Sequence, residues 1–247
     1  MDTASVARQL TEWITQQVEA AHMRGVIFGL SGGIDSAVIA GLAMRAFPNS
    51  SLGVIMPCHS NPEDREHALM VAKAFALKIV DVDLSAVYDT LLQAAAHATA
   101  GLEVSRLGLA NVKPRLRMTT LYYFANVHSY LVLGTGNLSE YTIGYFTKHG
   151  DGGVDLMPIA GLVKAQIRDL AAYLGVPQLI IDKSPSAGLW ANQTDEAEMG
   201  MSYQQLDKYI LTGEAEPKVK ERVDRLAALS AHKKQLPPIP KLEGCSR

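Results

Sequence analysis

Asp35 is the residue whose placement says most about the chemistry of this chain. It stands in Ser31-Gly32-Gly33-Ile34-Asp35-Ser36, between the apolar run Val26-Ile27-Phe28-Gly29-Leu30 and the helix-forming run Ala37-Val38-Ile39-Ala40-Gly41-Leu42. Two adjacent glycines allow a sharp turn that presents consecutive N–H groups, and the helix start adds unpaired donors and the positive end of its dipole. An anion is the natural occupant. A carboxylate inside an anion site repels the ligand unless a divalent cation bridges the two, so the loop predicts a magnesium-bound nucleotide. It is not a Walker loop, which ends in Lys followed by Ser or Thr where this chain has Asp35-Ser36. Nor is it a dinucleotide fingerprint: the third glycine is missing here, and Ser139 replaces it in the later Gly134-Thr135-Gly136-Asn137-Leu138-Ser139.

Three further stretches carry groups suited to the same kind of ligand. Glu140, directly after that second turn, would bring another carboxylate to the sheet edge that holds Asp35. Alone it reads as a helix N-terminal acid stabilised by the dipole; beside Asp35, shared magnesium on a polyphosphate is the better reading. Asn111-Val112-Lys113-Pro114-Arg115-Leu116-Arg117-Met118 sets three cations at a helix start, where they oppose the dipole, a costly arrangement without a nearby anion. Tyr145-Phe146-Thr147-Lys148-His149-Gly150-Asp151-Gly152-Gly153-Val154-Asp155 mixes rings, a lysine and two aspartates in a glycine-rich loop, a composition fit for a flat, charged, sugar-bearing ligand. Finally, the turn-rich stretch 184–196, with hydroxyls flanking Pro185, reads as a lid that orders over a nucleotide.

Such groups need a scaffold that gathers them. Val6, Leu10, Trp13, Ile14 and Val18 recur at helical spacing, so the first two dozen residues form an amphipathic helix. Strands at 26–30, 52–57, 78–83 and 130–133 alternate with helices at 36–46, 62–77, 85–99 and 110–128, Asn61 and Pro62 opening the second of these. Strand–helix alternation predicts an α/β fold, a doubly wound parallel sheet with flanking helices, with ligands at the carboxyl ends of the strands. The loops 31–36, 56–62 and 134–140 fall at those ends. Beyond lie a glycine-rich stretch at 144–161, helices at 163–174, 202–211 and 216–234, a loop at 183–201 and an extended proline-containing tail. The 247 residues read as a single domain over 1–247 with a substantial core.

Bulk properties narrow the classes. A net charge of −2 leaves no electrostatic footprint for nucleic acid. The first residues carry acidic and polar groups through their apolar positions, so no signal peptide or membrane span is expected, and the chain reads as cytoplasmic. Cys58 and Cys245 are too few and too far apart for a zinc site or a disulfide framework and read as reduced thiols.

The order Ser-Gly-Gly-x-Asp-Ser after a first strand resembles the pyrophosphate loop of the N-type ATP pyrophosphatases. The wider set of motifs is more specific: Asn-Val-Lys-Pro-Arg-Leu-Arg-Met, Gly-Thr-Gly-Asn-Leu-Ser-Glu, Gly-Tyr-Phe-Thr-Lys-His-Gly-Asp-Gly, Pro-Ser-Ala-Gly-Leu-Trp and Gln-Thr-Asp-Glu follow in order over nearly the whole length. Together they resemble the ammonia-dependent NAD synthetase family. The resemblance implies ATP-dependent amidation of deamido-NAD through an acyl adenylate, yielding NAD, AMP and pyrophosphate. It implies that Gly29, Leu30, Ser31, Gly32, Gly33, Ile34, Asp35, Ser36, Met56, Thr135, Lys164 and Ser186 hold ATP, with Mg2+ on Asp35 and Glu140. It further implies that Arg115, Phe146, Lys148, Asp155, His232 and Lys233 contact deamido-NAD, and that two copies pair as a homodimer. Asp35 and Lys164 would carry the adenylation, and Asp155 is the candidate proton acceptor for the ammonia step. Pro114 departs from the Ala common in relatives and disturbs the expected backbone around Arg115. One helix precedes the first strand, and position 2 is Asp rather than Cys, so no glutaminase domain is expected and free ammonia is the nitrogen donor, with a separate glutaminase partner left open. Two other readings stand beside this one: another adenylating enzyme with the same loop, and a non-catalytic nucleotide-binding module in which Asp35 and Glu140 would be spare.

Overall fold

The computed structural model describes residues 1–186, 188, 190 and 193–240; Cys245 and parts of the 184–196 stretch lie outside the described residues. In chain order the elements are α1 (Thr3–Ala20), β1 (Gly25–Gly29), α2 (Ile34–Ala46), β2 (Ser51–Ile55), α3 (Pro62–Ala74), β3 (Lys78–Asp81), α4 (Ser85–Ala96), α5 (Arg106–Ala110), α6 (Val112–His128), β4 (Tyr130–Val132), α7 (Leu138–Ile143), α8 (Lys164–Leu174), α9 (Gln178–Asp182), α10 (Asp195–Met199), α11 (Tyr203–Thr212) and α12 (Pro217–Ser230). Among the described residues no helix is long and apolar enough to cross a membrane.

The four strands form one parallel sheet in the order β3-β2-β1-β4. Val26 and Phe28 of β1 point into a cluster with α1, α2 and α8, whereas Ile27 points the other way, toward Leu121 and Ala125 of α6. That period-2 alternation is what places helices on both faces. α2 is buried at Ile34 and from Ser36 through Ala43, which explains why its sequence is largely apolar all round rather than on one stripe. A third cluster, Ile143, Met199, Tyr203, Leu206, Val219 and Val223, joins α7 to the C-terminal helices. The order reverses at β1, whose neighbours are β2 on one side and β4 on the other, so a crevice opens between the loops after β1 and β4.

The structure amends the expected elements in four places. The helix expected at 110–128 is α6, which begins at Val112, and a separate short helix, α5, precedes it across Asn111. Pro114 sits in the first turn of α6, where no intrahelical partner exists for its missing N–H, so the departure is tolerated. The loop expected at 183–201 contains α10, and the helix expected at 216–234 stops at Ser230, followed by a 3-10 turn at 231–233. α7, at six residues, is too short to show a helical period.

Candidate active site

At the carboxyl edge of the sheet lies a cavity of about 1010 Å³, at the upper end of the range for small-molecule sites. One wall is the phosphate loop. Ser36 Oγ accepts from the Ser31 N–H at 3.3 Å and donates to the Gly33 carbonyl at 2.9 Å, closing the loop on itself. Gly33 is the N-cap of α2 and no side chain caps that end, which leaves the first helical N–H groups for a ligand. Gly32 takes φ +76°, and a Cβ there would lie 2.3 Å from the Asp64 carbonyl oxygen; only glycine lets α3 pack so closely behind the loop.

Beside the loop the charges converge. Lys164 Nζ lies 2.6 Å from Asp35 Oδ2 and 3.4 Å from Glu140 Oε1, with the lysine only 2% exposed. Asn137 Nδ2 donates to Asp35 Oδ1 at 3.0 Å, and Asn137 also forms a capping box with Glu140 at the start of α7. Tyr203, fully buried, donates from one hydroxyl toward Glu140 at 3.2 Å and Asp195 at 3.0 Å; Tyr145 reaches Asp195 at 3.2 Å and also bonds Glu198. Asp207 holds the frame, accepting from Ser139 Oγ at 2.6 Å and from the Ala165 N–H at 2.8 Å, so the first turns of α7 and α8 are pinned together.

Burial pushes the Glu140 carboxyl up to about 7; Lys164 pulls it down, while Asp35 and Asp195 push it further up. Burial also raises Asp195. For Lys164, burial acts downward, but the Asp35 and Glu140 charges prevail and hold its ammonium protonated well above the usual range. Three carboxylates thus share one lysine. The excess of negative charge is what a divalent cation would neutralise.

The opposite wall carries the cations. Arg115 Nη2 donates to the Lys148 carbonyl at 3.3 Å, Lys148 Nζ donates to the His232 carbonyl at 2.8 Å, and Lys233 Nζ donates to the carbonyls of Gly144 and Phe146, each at 2.8 Å. Phe146 stacks on Tyr141, with ring centroids 5.9 Å apart. The three cations of α6 diverge: Arg115 faces the cavity, Lys113 is buried over the Tyr88 ring, and Arg117 donates to the Met56 carbonyl at 3.1 Å and to Ser60 Oγ at 3.2 Å.

Of the residues expected at the site, Gly29, Leu30, Ser31, Gly33, Ile34, Asp35, Ser36, Met56, Arg115, Thr135, Glu140, Phe146, Lys148, Lys164, Ser186, His232 and Lys233 line this one cavity. Gly32 packs behind it. Asp155 does not line it: its oxygens accept from the Tyr122 hydroxyl at 2.9 Å and from the Val132 N–H at 2.8 Å. The aspartate that faces the cavity from that loop is Asp151, which accepts from the Thr147 N–H at 2.9 Å and whose carboxyl is raised by the surrounding protein although the cavity leaves it open. Sequence reasoning gave no site role to Asp195, Tyr203 and Asn137; Arg117, one of the three cations expected near an anion, lines the cavity while bonded to Met56 and Ser60. The Gln-Thr-Asp-Glu string was the one available signal for Asp195.

The chain is similar to known proteins over nearly its whole length. The NAD synthase family model matches residues 6–237. The NH(3)-dependent NAD(+) synthetase of Carboxydothermus hydrogenoformans is 52% identical over 234 residues, covering 95% of this chain and 96% of that protein. Among solved structures, the NMN synthetase from Francisella tularensis superposes with a TM-score of 0.93 at 33% identity, covering 98% of this chain and 100% of the other. The NH3-dependent NAD synthetase from Campylobacter jejuni superposes with a TM-score of 0.80 at 28% identity, over 98% and 100% of the two chains.

Proposed function

This chain belongs to the NAD synthase family, and we propose that its cavity joins ammonia to the nicotinate carboxylate of deamido-NAD at the expense of ATP, giving NAD, AMP and pyrophosphate. It is a ligase that forms a C–N bond. The observation that carries the reading is the arrangement of one cavity: a phosphate loop on one wall, Arg115, Lys148 and Lys233 on the other, and Asp35, Lys164 and Glu140 between them. A non-catalytic nucleotide-binding module would have no use for that central cluster.

The carboxylate of the acid substrate is ionised at neutral pH and attacks the α-phosphorus without help from a base. The chain's task in that step is to align the two substrates and to receive the charge that passes to pyrophosphate. The free N–H groups at the start of α2 and the Lys164 ammonium do so. Asp35 and Glu140 suit Mg2+, which prefers one or two carboxylates plus substrate phosphates, and the ion would neutralise pyrophosphate charge there. In the second step ammonia attacks the acyl carbon and a proton must leave. Asp151, on the cavity wall with its carboxyl raised, is better placed to take it than Asp155.

The test is pyrophosphate release from ATP in the presence of deamido-NAD or nicotinic acid mononucleotide. Deamido-NAD should give the higher kcat/KM; a preference for the mononucleotide would move the chain to the reaction named for the Francisella protein it superposes on. Turnover should rise with ammonium and with pH as free ammonia increases, and glutamine should not replace it. Glutamine-driven turnover equal to that with ammonium would overturn this nitrogen source.

A second copy of the chain is the proposed partner. Every residue of α4 is at least partly exposed although the helix is apolar, with Val87 and Leu91 uncovered on one face. On α6 Tyr123 and Val127 are 65% and 62% exposed one turn apart. Exposed apolar residues of this kind support that reading. Sedimentation should find a dimer, and Tyr123→Glu with Val127→Glu a monomer of much lower activity. A wild-type monomer with full activity would refute it.

A further inference from the structure

Lys183, the residue that follows α9, stands on the phosphate side of the cavity without a place in the mechanism above. Its Nζ lies 2.7 Å from Asp64 Oδ1 and 3.0 Å from His67 Nδ1, both in the first turns of α3. An ammonium has no lone pair, so Lys183 can only donate in this contact. Asp64 is the one carboxylate among these two partners. α3 at this point is pressed against the phosphate loop, since a Cβ on Gly32 would meet the Asp64 carbonyl oxygen at 2.3 Å and His67 Cβ at 2.8 Å. Lys183, Asp64, Ser31, Gly33 and Ser186 consequently border the same space.

The two lysines on this side differ in freedom. Lys164 is 2% exposed and held by Asp35 and Glu140, so its position is fixed. Lys183 and Asp64 are 26% and 28% exposed, at the mouth of the loop, and a lysine stem of four carbons turns readily. A polyphosphate entering this loop brings several negative charges close to an ammonium held by a single carboxylate at a helix N-terminus, an end that itself favours the anion and not the cation.

Resting on the ATP reading, we propose that Lys183 is a further phosphate-binding residue: Asp64 and His67 hold it before the nucleotide binds, and it then passes to the β and γ phosphates of ATP. Asp64 and pyrophosphate then compete for one cation, which separates this role from that of a tether between α3 and the segment after α9. Loss of the cation should weaken pyrophosphate, whereas loss of its competitor should not. AMP, which lacks both outer phosphates, should be indifferent to Lys183.

Calorimetric titration of the full chain with inorganic pyrophosphate and with AMP, each in magnesium, tests this. Lys183→Ala should weaken pyrophosphate about tenfold or more while AMP stays within about twofold, the size expected for one charge-assisted contact. Asp64→Asn should bind pyrophosphate as tightly as wild type or more so, and Lys183→Arg should recover most of the loss. Pyrophosphate binding unchanged in Lys183→Ala overturns the assignment, as does parallel weakening of both probes in Lys183→Ala and Asp64→Asn. A wild-type chain that binds neither probe overturns the ATP reading and this assignment with it.

Discussion

Lys164→Met should lose turnover by about a thousandfold or more and unfold at a markedly lower temperature, because one buried ammonium neutralises Asp35 and Glu140 at once. Removing one partner of a buried ion pair typically costs about 3–5 kcal/mol, since the remaining charge stays desolvated. In a chain of this size that is a fall in Tm on the order of 10 °C. Methionine keeps most of the stem's packing, so the loss reports charge rather than a cavity. Arginine should not rescue: a planar guanidinium needs room that a side chain 2% exposed does not have. Magnesium should narrow the Tm gap between variant and wild type by supplying positive charge to the same carboxylates. Thermal melts with and without magnesium, beside single-turnover adenylation, decide the matter; an unchanged Tm with less than a tenfold loss of rate would mean that Lys164 is peripheral.

The parts of this site that could be read from the sequence are those whose chemistry is local. Gly32, Gly33, Asp35 and Ser36 act within one turn, and the flanking strand and helix signals fix which end of the sheet they occupy. Glu140 was legible for a similar reason, although the sequence posed its two roles as alternatives. In the structure this carboxylate closes a capping box with Asn137 and lies 3.4 Å from Lys164. Asn137 illustrates what stays hidden. Its bond to Asp35 spans 102 positions, and nothing in a Gly-Thr-Gly-Asn turn states which distant side chain its amide will meet. Tyr203 and Asp195 were hidden in the same way, being brought to Glu140 by the packing of the C-terminal helices.

The different placements of Asp151 and Asp155 have another cause. Both are aspartates in one glycine-rich loop, and composition treats them alike. What separates them is a single parallel bridge between Leu133 and Leu156, which carries the chain along β4 just past its end. Alternation there turns Asp155 to the Val132 N–H and the Tyr122 hydroxyl. Asp151, four residues earlier in a tight turn that returns to the Thr147 N–H, is left facing the cavity. Such short pairings leave too few residues to show a period.

Asp35→Asn and Glu140→Gln should each slow adenylation by two orders of magnitude or more while weakening deamido-NAD binding far less. On the proposed reading the charge they help to hold develops on pyrophosphate in the transition state, whereas the dinucleotide would meet Arg115, Lys148 and Lys233, which line the same cavity. If both act through one magnesium–phosphate unit, the double variant should lose less than the product of the single losses, since the first already disables the unit. The pH dependence has a definite sign. Glu140 is raised to about 7, so below that pH a proton occupies the carboxylate and competes with the metal. The magnesium concentration for half-maximal adenylation should therefore fall as pH rises through about 7, and Glu140→Gln should abolish that dependence while Asp35→Asn retains it. Single-turnover adenylate formation across the mutant cycle, at several magnesium concentrations and two pH values, measures all of this. Strictly multiplicative losses that ignore magnesium would reduce Glu140 to a helix-capping acid and leave Asp35 to act alone with Lys164.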